Sequence, residues 1–515
     1  MVRTSKDIIV QENHLRAALA AGNGHVAIRL KLRLPAGQSI GKSVLHVGNA
    51  SASLIAEPCT EELVMLTGEV FVPDAEPWWP HTHGEPSLYP VWVDLQVADT
   101  CVRLTLASVG FRHLHIHQLD GAFQVQINGT PVFCRGACWT PADVLTLHAD
   151  EATLRQTLLL AKAAGMNMVR IGGTMVYESD LFYRLCDELG MLVWQDFMFA
   201  NMDYPVGDDN FSASIAIEAQ QFLQRVQARP CLTVLCGGSE IEQQAAMLGL
   251  PPEHWRNAFV GVTLPAICAE ICPQVPYLAS SPSGGVMPFQ VDQSVSHYYG
   301  VGAYLRPLED ARRAGVRFTS ECLGFSNIPE EATVESLLGN GQQPFHHPIW
   351  KQRVPRDTGA GWDFEDVRDH YLATLFKVDP MQLRYADMAR YLYMSRVVTG
   401  EVMARTIAEW RREASPCQGA LIWFLRDLWP GAGWGVIDAH GVPKAAYFAL
   451  KRVMQPQAVV ISDEGLNGLV LHVFNDQALP IAGEINLRLV RHGEVQVAEA
   501  VQAVHVPAHG SLELR

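Results

Sequence analysis

Residues 166–196 read MNMVRIGGTMVYESDLFYRLCDELGMLVWQD, and this stretch decides the fold class. Two short apolar runs, Met166–Ile171 and Met191–Asp196, flank the helical pattern Leu181–Leu189. This order is typical of a parallel β/α unit, because a crossover helix must carry the chain back before the next parallel strand can begin. The stretch therefore predicts a parallel sheet that is covered by helices.

The same alternation of short apolar runs and helical patterns extends on both sides, from about residue 119 to about residue 455. Eight apolar runs are predicted as strands, at residues 131–136, 166–171, 191–196, 232–236, 275–279, 294–298, 316–321 and 420–425. Helical patterns separate most of them, at residues 151–164, 181–189, 213–228, 253–271, 363–376 and 383–411. Eight such units in roughly 330 residues predict a (β/α)8 TIM barrel with insertions.

The two flanks of this region alternate apolar and polar residues instead. Residues 25–34 read HVAIRLKLRL, and the region 1–118 as a whole predicts an immunoglobulin-like β-sandwich. Residues 456–515 alternate in the same way and predict a partial C-terminal β-sandwich. The first 20 residues, MVRTSKDIIVQENHLRAALA, have neither a helix or strand pattern nor the apolar segment of a signal peptide.

Composition limits the class of protein. The chain has 515 residues, 48% of them apolar and 18% charged, which is a globular composition and excludes disorder. Its net charge of −15 argues against nucleic acid or an anionic membrane surface as the main partner, and no stretch is apolar enough to span a membrane. The eleven cysteines lack metal-ligand spacing, so they are interpreted as reduced thiols of a cytoplasmic protein.

In a barrel of this kind the reacting groups lie where the strands end, at the C-terminal face. The predicted strand ends carry carboxylates, two arginines, aromatic rings, a histidine and a serine: Arg135, Trp139, Arg170, Asp196, Glu240, Ser280, His297, Tyr298, Glu321 and Trp423. Carboxylates and arginines hydrogen-bond sugar hydroxyls, and flat rings cover the C–H faces of a pyranose. The inventory therefore indicates a carbohydrate site.

Glu240 and Glu321 are the candidate catalytic pair. They follow the fourth and seventh strands, which face each other across an eight-stranded barrel. A retaining glycosidase needs two carboxyl groups about 5–5.5 Å apart, one as nucleophile and one as acid/base. Two carboxylates suffice for this reaction, so no metal and no organic cofactor is expected.

Structural roles compete with these interpretations. Each glutamate could instead pair with an arginine, and Asp196 could cap the helix that follows it. Trp139 and Trp423 could pack at the rim of the barrel, and His297 could be a hydrogen-bonded core imidazole.

Several long motifs resemble glycoside hydrolase family 2, and specifically its β-mannosidase-like branch. The resemblance runs from about Trp78 to about Lys451. Its motifs are PWWPHTHGEPSLYPV, GFR at residues 110–112, INGTPVFCRGACWTPAD, AAGMNMVRIGG, YESDLFYRLCDELGMLVWQDFMFAN and ALIWFLRDLWPGAGWGVID.

The resemblance implies roles for particular residues. Glu240 in CGGSE matches the acid/base position and Glu321 in RFTSECLG the nucleophile position. Arg170 and the pair His297-Tyr298 match positions that steady the nucleophile, and Asp196 and Trp423 match positions that line the −1 sugar site.

The sequence also departs from the family. Ser239 stands where the family usually has an asparagine that binds the 2-hydroxyl of the sugar. Gly172 stands where the β-mannosidase branch often has tryptophan, and Cys138 where the family usually has asparagine. Family members usually begin with a jelly-roll domain, and this chain is expected to lack it, because only about 120 residues precede the barrel.

The resulting prediction is a retaining β-glycosidase that acts on β-mannosides or a related β-linked sugar. One alternative is the same mechanism on a glucosaminide, glucuronide or galactoside. The other is a carbohydrate-binding pseudoenzyme without turnover. The expected partner is a β-linked oligosaccharide or glycoside, and the sequence leaves the aglycone, exo or endo action and the oligomeric state open.

Overall fold

The computed structural model describes residues 2–3 and 8–515. Its N-terminal part consists of two antiparallel sheets, in the strand orders β1-β2-β3-β7-β6 and β5-β4-β8-β9. The strands are β1 (Val2–Arg3), β2 (Ile9–Ala20), β3 (Asn23–Arg33), β4 (Ile40–Val47), β5 (Ala50–Ser53), β6 (Ile55–Pro58), β7 (Leu63–Val72), β8 (Tyr89–Val97) and β9 (Thr100–Val109).

The two sheets share one apolar core. Alternate residues of β3, including Val26, Ile28 and Leu30, are buried together with alternate residues of β8, including Val91 and Val93. This is the period of two that the sequence shows, because successive side chains of a strand point to opposite faces.

The strand β2 differs from the sequence prediction, which saw no regular structure in the first 20 residues. It pairs with β3 from Ile9↔Arg33 to Ala20↔Asn23. Within β2 only Leu15 is fully buried. The local apolar pattern is therefore weak, and the pairing with β3 supplies the backbone hydrogen bonds that make it a strand.

A small antiparallel sheet leads into the central region, formed by β10 (Leu114–His117), β11 (Gln124–Ile127) and β12 (Thr130–Val132). The first barrel strand, predicted at residues 131–136, is thus two strands. Pro131 pairs with Gln126 in this small sheet, and the parallel sheet begins only at Cys134.

The central region is an eight-stranded parallel sheet, hereafter the barrel sheet. Its strands are β13 (Cys134–Cys138), β14 (Met168–Ile171), β15 (Leu192–Asp196), β16 (Leu232–Cys236), β17 (Tyr277–Leu278), β18 (Ser296–Tyr298), β19 (Thr319–Cys322) and β20 (Gly419–Ile422). Their order is β17-β16-β15-β14-β13-β20-β19-β18. This is the neighbour order of a β/α barrel that is opened between its fifth and sixth strands. An antiparallel bridge between Ser283 and Val295 lies at that opening.

Helices surround the barrel sheet. They are α1 (Glu151–Ala163), α2 (Asp180–Leu189), α3 (Asp209–Val226), α4 (Ile241–Met247), α5 (Pro252–Trp255), α6 (Leu264–Ile271), α7 (Asp310–Arg313), α8 (Glu331–Leu338), α9 (Pro348–Arg353), α10 (Phe364–Phe376), α11 (Pro380–Ala386), α12 (Met388–Arg411) and α13 (Ala445–Met454). Of the helices in the described part of the chain, none is both long and apolar enough to cross a bilayer.

Two predicted helices are interrupted in the structure. Residues 253–271 form α5, a π-helical turn at Phe259–Thr263 and α6. Residues 383–411 divide at Asp387, whose side chain accepts a hydrogen bond from the backbone N–H of Arg390 and caps α12. Local capping thus ends a helix where the apolar periodicity continues.

The C-terminal strands are β21 (Gln457–Asp463), β22 (Leu469–Asn475), β23 (Ile481–Arg491), β24 (Val495–Val506) and β25 (Gly510–Leu514). They form the sheet β21-β22-β25 and the hairpin β23-β24. Arg135, near the start of β13, donates to Asp476 over 2.7 Å and ties this part to the base of the barrel sheet. Arg135 therefore lies at the end of the barrel away from the strand termini that carry Glu321.

Candidate active site

The carboxyl ends of the barrel strands surround a cavity of about 820 Å³. Parallel strands bring their C-terminal ends to one edge, so residues far apart in sequence meet there. Six of the nine predicted site residues line this cavity: Ser239, Glu240, His297, Tyr298, Glu321 and Trp423. The other three, Trp139, Arg170 and Asp196, are buried behind its wall.

Glu321 lies at the end of β19 and is hydrogen-bonded on both carboxylate oxygens. Nη1 of Arg170 donates to Oε1 over 2.7 Å, and the hydroxyl of Tyr299 donates to Oε2 over 2.9 Å. The hydroxyl of Ser239 lies 3.4 Å from Oε1. Hydrogen bonds from a guanidinium and two hydroxyls fix the orientation of this carboxylate.

Arg170 is completely buried between two carboxylates. Its Nη2 donates to Asp196 over 2.8 Å, while Nη1 donates to Glu321. Burial alone would lower the pKa of the Arg170 guanidinium, but the charges of Asp196 and Glu321 raise it well above its usual value. Arg170 is therefore a permanent cation under Glu321.

Asp196 does not reach the cavity, although the resemblance implied that it lines the sugar site. Its Oδ2 accepts from Arg170 and from the backbone N–H of Gly173, and its Oδ1 accepts from the indole N–H of Trp194. The side chain is completely buried. The carboxylate of Asp196 therefore holds Arg170 in place and is itself fixed by Gly173 and Trp194.

Glu240 precedes α4 and takes a left-handed backbone conformation, with φ of 56°. The side-chain amides of Gln243 and Gln244 donate to its two oxygens over 2.9 Å and 3.1 Å. Nδ1 of His297 lies 2.8 Å from its Oε1. The backbone turn and the two glutamines aim this carboxylate into the cavity.

An acid/base is expected to have a raised pKa, and residues 235–239 before Glu240 offer no cation that would lower it. In the structure the pKa of Glu240 is shifted in the opposite direction. Burial does act to raise the pKa of this carboxyl. The hydrogen bond and charge of His297, with the amides of Gln244 and Gln243, outweigh it and hold the pKa below its usual value. His297 is 57 residues away in sequence, so the local run around Glu240 could not reveal it.

Glu240, His297 and Glu321 form one cluster. One donor atom from each lies within 4.8 Å of the others. This separation is near the roughly 5–5.5 Å of retaining glycosidases and well below the roughly 6.5–9.5 Å of inverting ones. Among the described residues it is also the only group whose donor atoms could hold a metal ion, although Arg170 already supplies a positive charge to Glu321.

Two aromatic predictions need correction. Trp139 is 1% exposed, its indole N–H donates to Glu178 over 2.8 Å and its ring packs against Phe182, so it is enclosed behind α2 and does not line the cavity. Tyr298 borders the cavity, but its hydroxyl donates to Asp310 over 2.6 Å. Its neighbour Tyr299 reaches Glu321 instead, since successive strand residues point to opposite sides.

Further lining residues were missed by the sequence analysis, among them Asn201, Gln243, Gln244, Tyr299, Asp357 and Trp434. Trp434 lies in the quoted motif ALIWFLRDLWPGAGWGVID, and its ring stands 6.0 Å from that of Trp423. The buried pair Lys444–Asp427 holds the backbone next to Trp434, because Asp427 accepts from the N–H of Gly435. Tyr299 could have been found from its spacing of two residues from His297.

No protein-family model matches the chain. A protein named β-mannosidase B from Aspergillus oryzae is 31% identical over 421 residues, which cover 77% of this chain and 48% of the relative. Its namesake from Aspergillus flavus is 30% identical over 438 residues, covering 80% and 50%. The chain thus spans about half the length of the curated relatives that it matches.

Solved structures share the fold. The β-D-mannosidase of Dictyoglomus thermophilum matches with a TM-score of 0.84 and 26% identity, over 99% of this chain and 62% of that one. The exo-chitosanase CsxA of Amycolatopsis orientalis matches with a TM-score of 0.71 and 17% identity, over 98% and 59%. At that identity the second match concerns the fold alone. Together, sequence and fold relate this chain to the β-mannosidase-like branch of glycoside hydrolase family 2.

Proposed function

We propose that this chain is a retaining β-glycosidase that hydrolyses β-mannosides, or a related β-linked sugar, by double displacement. One observation carries the proposal: carboxylate oxygens of Glu240 and Glu321 lie within 4.8 Å of each other in unlike surroundings. Glu321 is the nucleophile and Glu240 the acid/base. The curated relatives named β-mannosidase B support the choice of sugar.

The first half of the reaction forms a covalent glycosyl ester. An oxygen of Glu321 attacks the anomeric carbon while Glu240 protonates the departing glycosidic oxygen. Arg170 and Tyr299 hold the carboxylate of Glu321 in position for this attack. Glu240 is held ionised at rest, so it must gain a proton before it can act as the acid. A bound substrate favours this protonation because it excludes water, and burial raises the pKa of Glu240.

The second half returns the enzyme to its starting state. Glu240 gave its proton to the departing oxygen and is now a carboxylate, so it can act as a base and take a proton from the attacking water. The hydroxide attacks the anomeric carbon and Glu321 leaves as a carboxylate. Ser239, His297 and Trp423 are proposed to contact the sugar, while Arg170 and Asp196 act behind Glu321.

A different sugar is the second candidate, and Ser239 is the observation that favours it. Its hydroxyl is engaged by Arg170 over 3.2 Å and lies 3.4 Å from Glu321, so the short side chain reaches less far into the cavity than asparagine would. Room next to the sugar's C2 would then admit a glucosaminide, glucuronide or galactoside.

We also propose the division of the chain. Residues 1–118 form an immunoglobulin-like sandwich, 119–455 the catalytic barrel and 456–515 a partial C-terminal sandwich. The shared core of the two N-terminal sheets and the barrel order of the parallel sheet support this. A cytoplasmic location is supported by eleven cysteines that are all free thiols.

A panel of 4-nitrophenyl β-glycosides tests the function on the purified chain. We expect release of nitrophenol from the β-mannoside, and none from the Glu321→Gln variant. Faster turnover of the β-glucosaminide, β-glucuronide or β-galactoside would replace mannose by that sugar. Binding of β-mannosides without turnover of any substrate would leave the carbohydrate-binding pseudoenzyme.

A further inference from the structure

The outer part of the cavity carries an unusual number of solvent-exposed apolar side chains. Met247 is 58% exposed, Phe289 39% and Tyr304 64%, and all three line the same cavity as Glu240 and Glu321. Val291 joins them in the lining. Single exposed apolar residues are ordinary on a protein surface, but several that converge on one cavity mark a binding surface.

These side chains come from three separate elements. Met247 ends α4, Phe289 and Val291 lie in the segment before β18, and Tyr304 lies in the segment after β18. Neighbouring residues of the same segments, Leu248, Val286, Met287 and Leu305, are also exposed. We call the set Met247, Phe289, Val291 and Tyr304 the apolar rim.

The geometry of α4 places the rim relative to the chemistry. Glu240, Gln243, Gln244 and Met247 all line the cavity, and their spacing of i, i+3, i+4 and i+7 puts them on one helix face. At 1.5 Å of rise per residue, Met247 lies about 10 Å farther along the helix than Glu240. The rim therefore begins on the side of Glu240 and extends outward from it.

Glu240 faces the leaving group, because the acid/base of a retaining glycosidase protonates the departing oxygen. We propose that the apolar rim is an aglycone site for an alkyl or aryl group rather than for a second sugar. This inference rests on the proposed function and specifies its leaving group. Hydrophobic burial supplies the binding, since Met, Phe and Val offer no hydrogen bonds to hydroxyls.

The polar side chains near the rim are only partly available to a hydroxylated leaving group. The amides of Gln243 and Gln244 each donate to Glu240, so these donors are already engaged. Asn201, Arg306 and Asp357 also line the cavity and could serve a hydroxylated aglycone. An apolar leaving group would use the rim and a hydroxylated one these polar side chains, so kcat/KM for the two kinds of substrate distinguishes them.

The test compares methyl, butyl and octyl β-mannosides, whose leaving alcohols differ mainly in apolar length. A fully buried methylene improves binding about fourfold, so half-burial gives about twofold per methylene and roughly 100-fold in kcat/KM over the seven methylenes that separate octyl from methyl. The double variant Met247→Ser/Phe289→Ser should reduce this octyl-to-methyl ratio to below about threefold. Leu466→Ser, at an exposed apolar residue outside the cavity lining, should keep the full ratio.

The possible outcomes test the aglycone site separately from the proposed glycosidase function. Equal kcat/KM for methyl and octyl mannosides, or a clear preference for β-mannobiose over both, would overturn the aglycone site and leave the glycosidase intact. If no glycoside is hydrolysed, the proposed function fails. Calorimetric titration with octyl and methyl β-mannoside then tests whether the apolar rim binds an alkyl group. Octyl binding that the double variant loses supports it, and equal or absent binding overturns it. A dimer in light scattering that the double variant dissociates would assign the rim to a second copy instead.

Discussion

Glu321 belongs to a strand of the barrel sheet and its side chain is 6% exposed, whereas Glu240 begins a helix and its side chain is 19% exposed. Glu321 is held by a buried arginine and a tyrosine hydroxyl. Glu240 is held by two glutamine amides of its own helix and by His297. A buried guanidinium thus lies beneath one carboxylate, whereas two amides and an imidazole surround the other.

This difference explains how two similar side chains can take opposite roles. A nucleophile must be held in a fixed orientation, and a buried Arg170 between two carboxylates does this for Glu321. An acid/base must exchange its proton twice per cycle, which suits a carboxylate near solvent and a histidine. The predictions below test this contrast, beginning with the largest expected effect.

Glu321→Gln should reduce turnover by more than about 10⁴-fold for every leaving group, because no other residue can form the glycosyl ester. The measurement is kcat/KM for 4-nitrophenyl and dinitrophenyl glycosides. Glu253→Gln, on the exposed α5, is the matched control and should retain activity. A 2-deoxy-2-fluoro glycoside should label Glu321 in peptide mapping; labelling elsewhere would refute the assignment.

Glu240→Ala should reduce turnover of substrates with poor leaving groups by about 10²–10⁴-fold, the usual contribution of general acid catalysis. The first step with a dinitrophenyl leaving group, which needs no proton, should be preserved. Added azide should restore turnover by attacking through the vacated space and should yield a glycosyl azide. Glu242→Gln, two residues away and outside the cavity lining, is the control. If both glutamate variants depend equally on the leaving group, their roles are wrongly assigned.

Tyr299→Phe removes one hydrogen bond from Glu321 and should lower kcat/KM by about 10–100-fold, as expected for about 1.5–3 kcal/mol in a bond to a charged group. Tyr298→Phe is a matched control from the adjacent position. It loses a hydrogen bond to Asp310 instead, so it should lower the melting temperature more than the activity. The reverse ranking in activity would show that Tyr298 is the residue that serves the site.

Of these variants, His297→Gln should have the smallest effect on the maximal rate. It should have the clearest effect on how the rate depends on pH. Removing the charge of His297 leaves burial to raise the pKa of Glu240, whose pKa is now held low. Since the acid must be protonated to donate, the alkaline limb of kcat/KM should move to higher pH. An unchanged alkaline limb would mean that His297 does not control the proton of Glu240.

Part of this molecule could be predicted from local patterns. The strand Leu232–Cys236 was predicted to the residue, because a continuous apolar run between a helix and glycines is typical of a strand buried on both faces. The strand β2 was missed, because it depends on pairing with β3 more than on its own residues. Trp139 was misplaced because its position after a strand does not reveal that Glu178, 39 residues away, accepts its indole N–H.

The sequence alone determined the alternation of strands and helices and the edge at which Glu240 and Glu321 meet, because both follow from short-range periodicity and the direction of parallel strands. Only the tertiary structure decided which groups surround each carboxylate. Arg170 reaches Glu321 across 151 residues and His297 reaches Glu240 across 57. The apolar rim likewise exists only because the end of α4 and the two segments beside β18 meet at one cavity. Such contacts depend on how elements that are distant in sequence pack together, and local sequence patterns do not predict this packing.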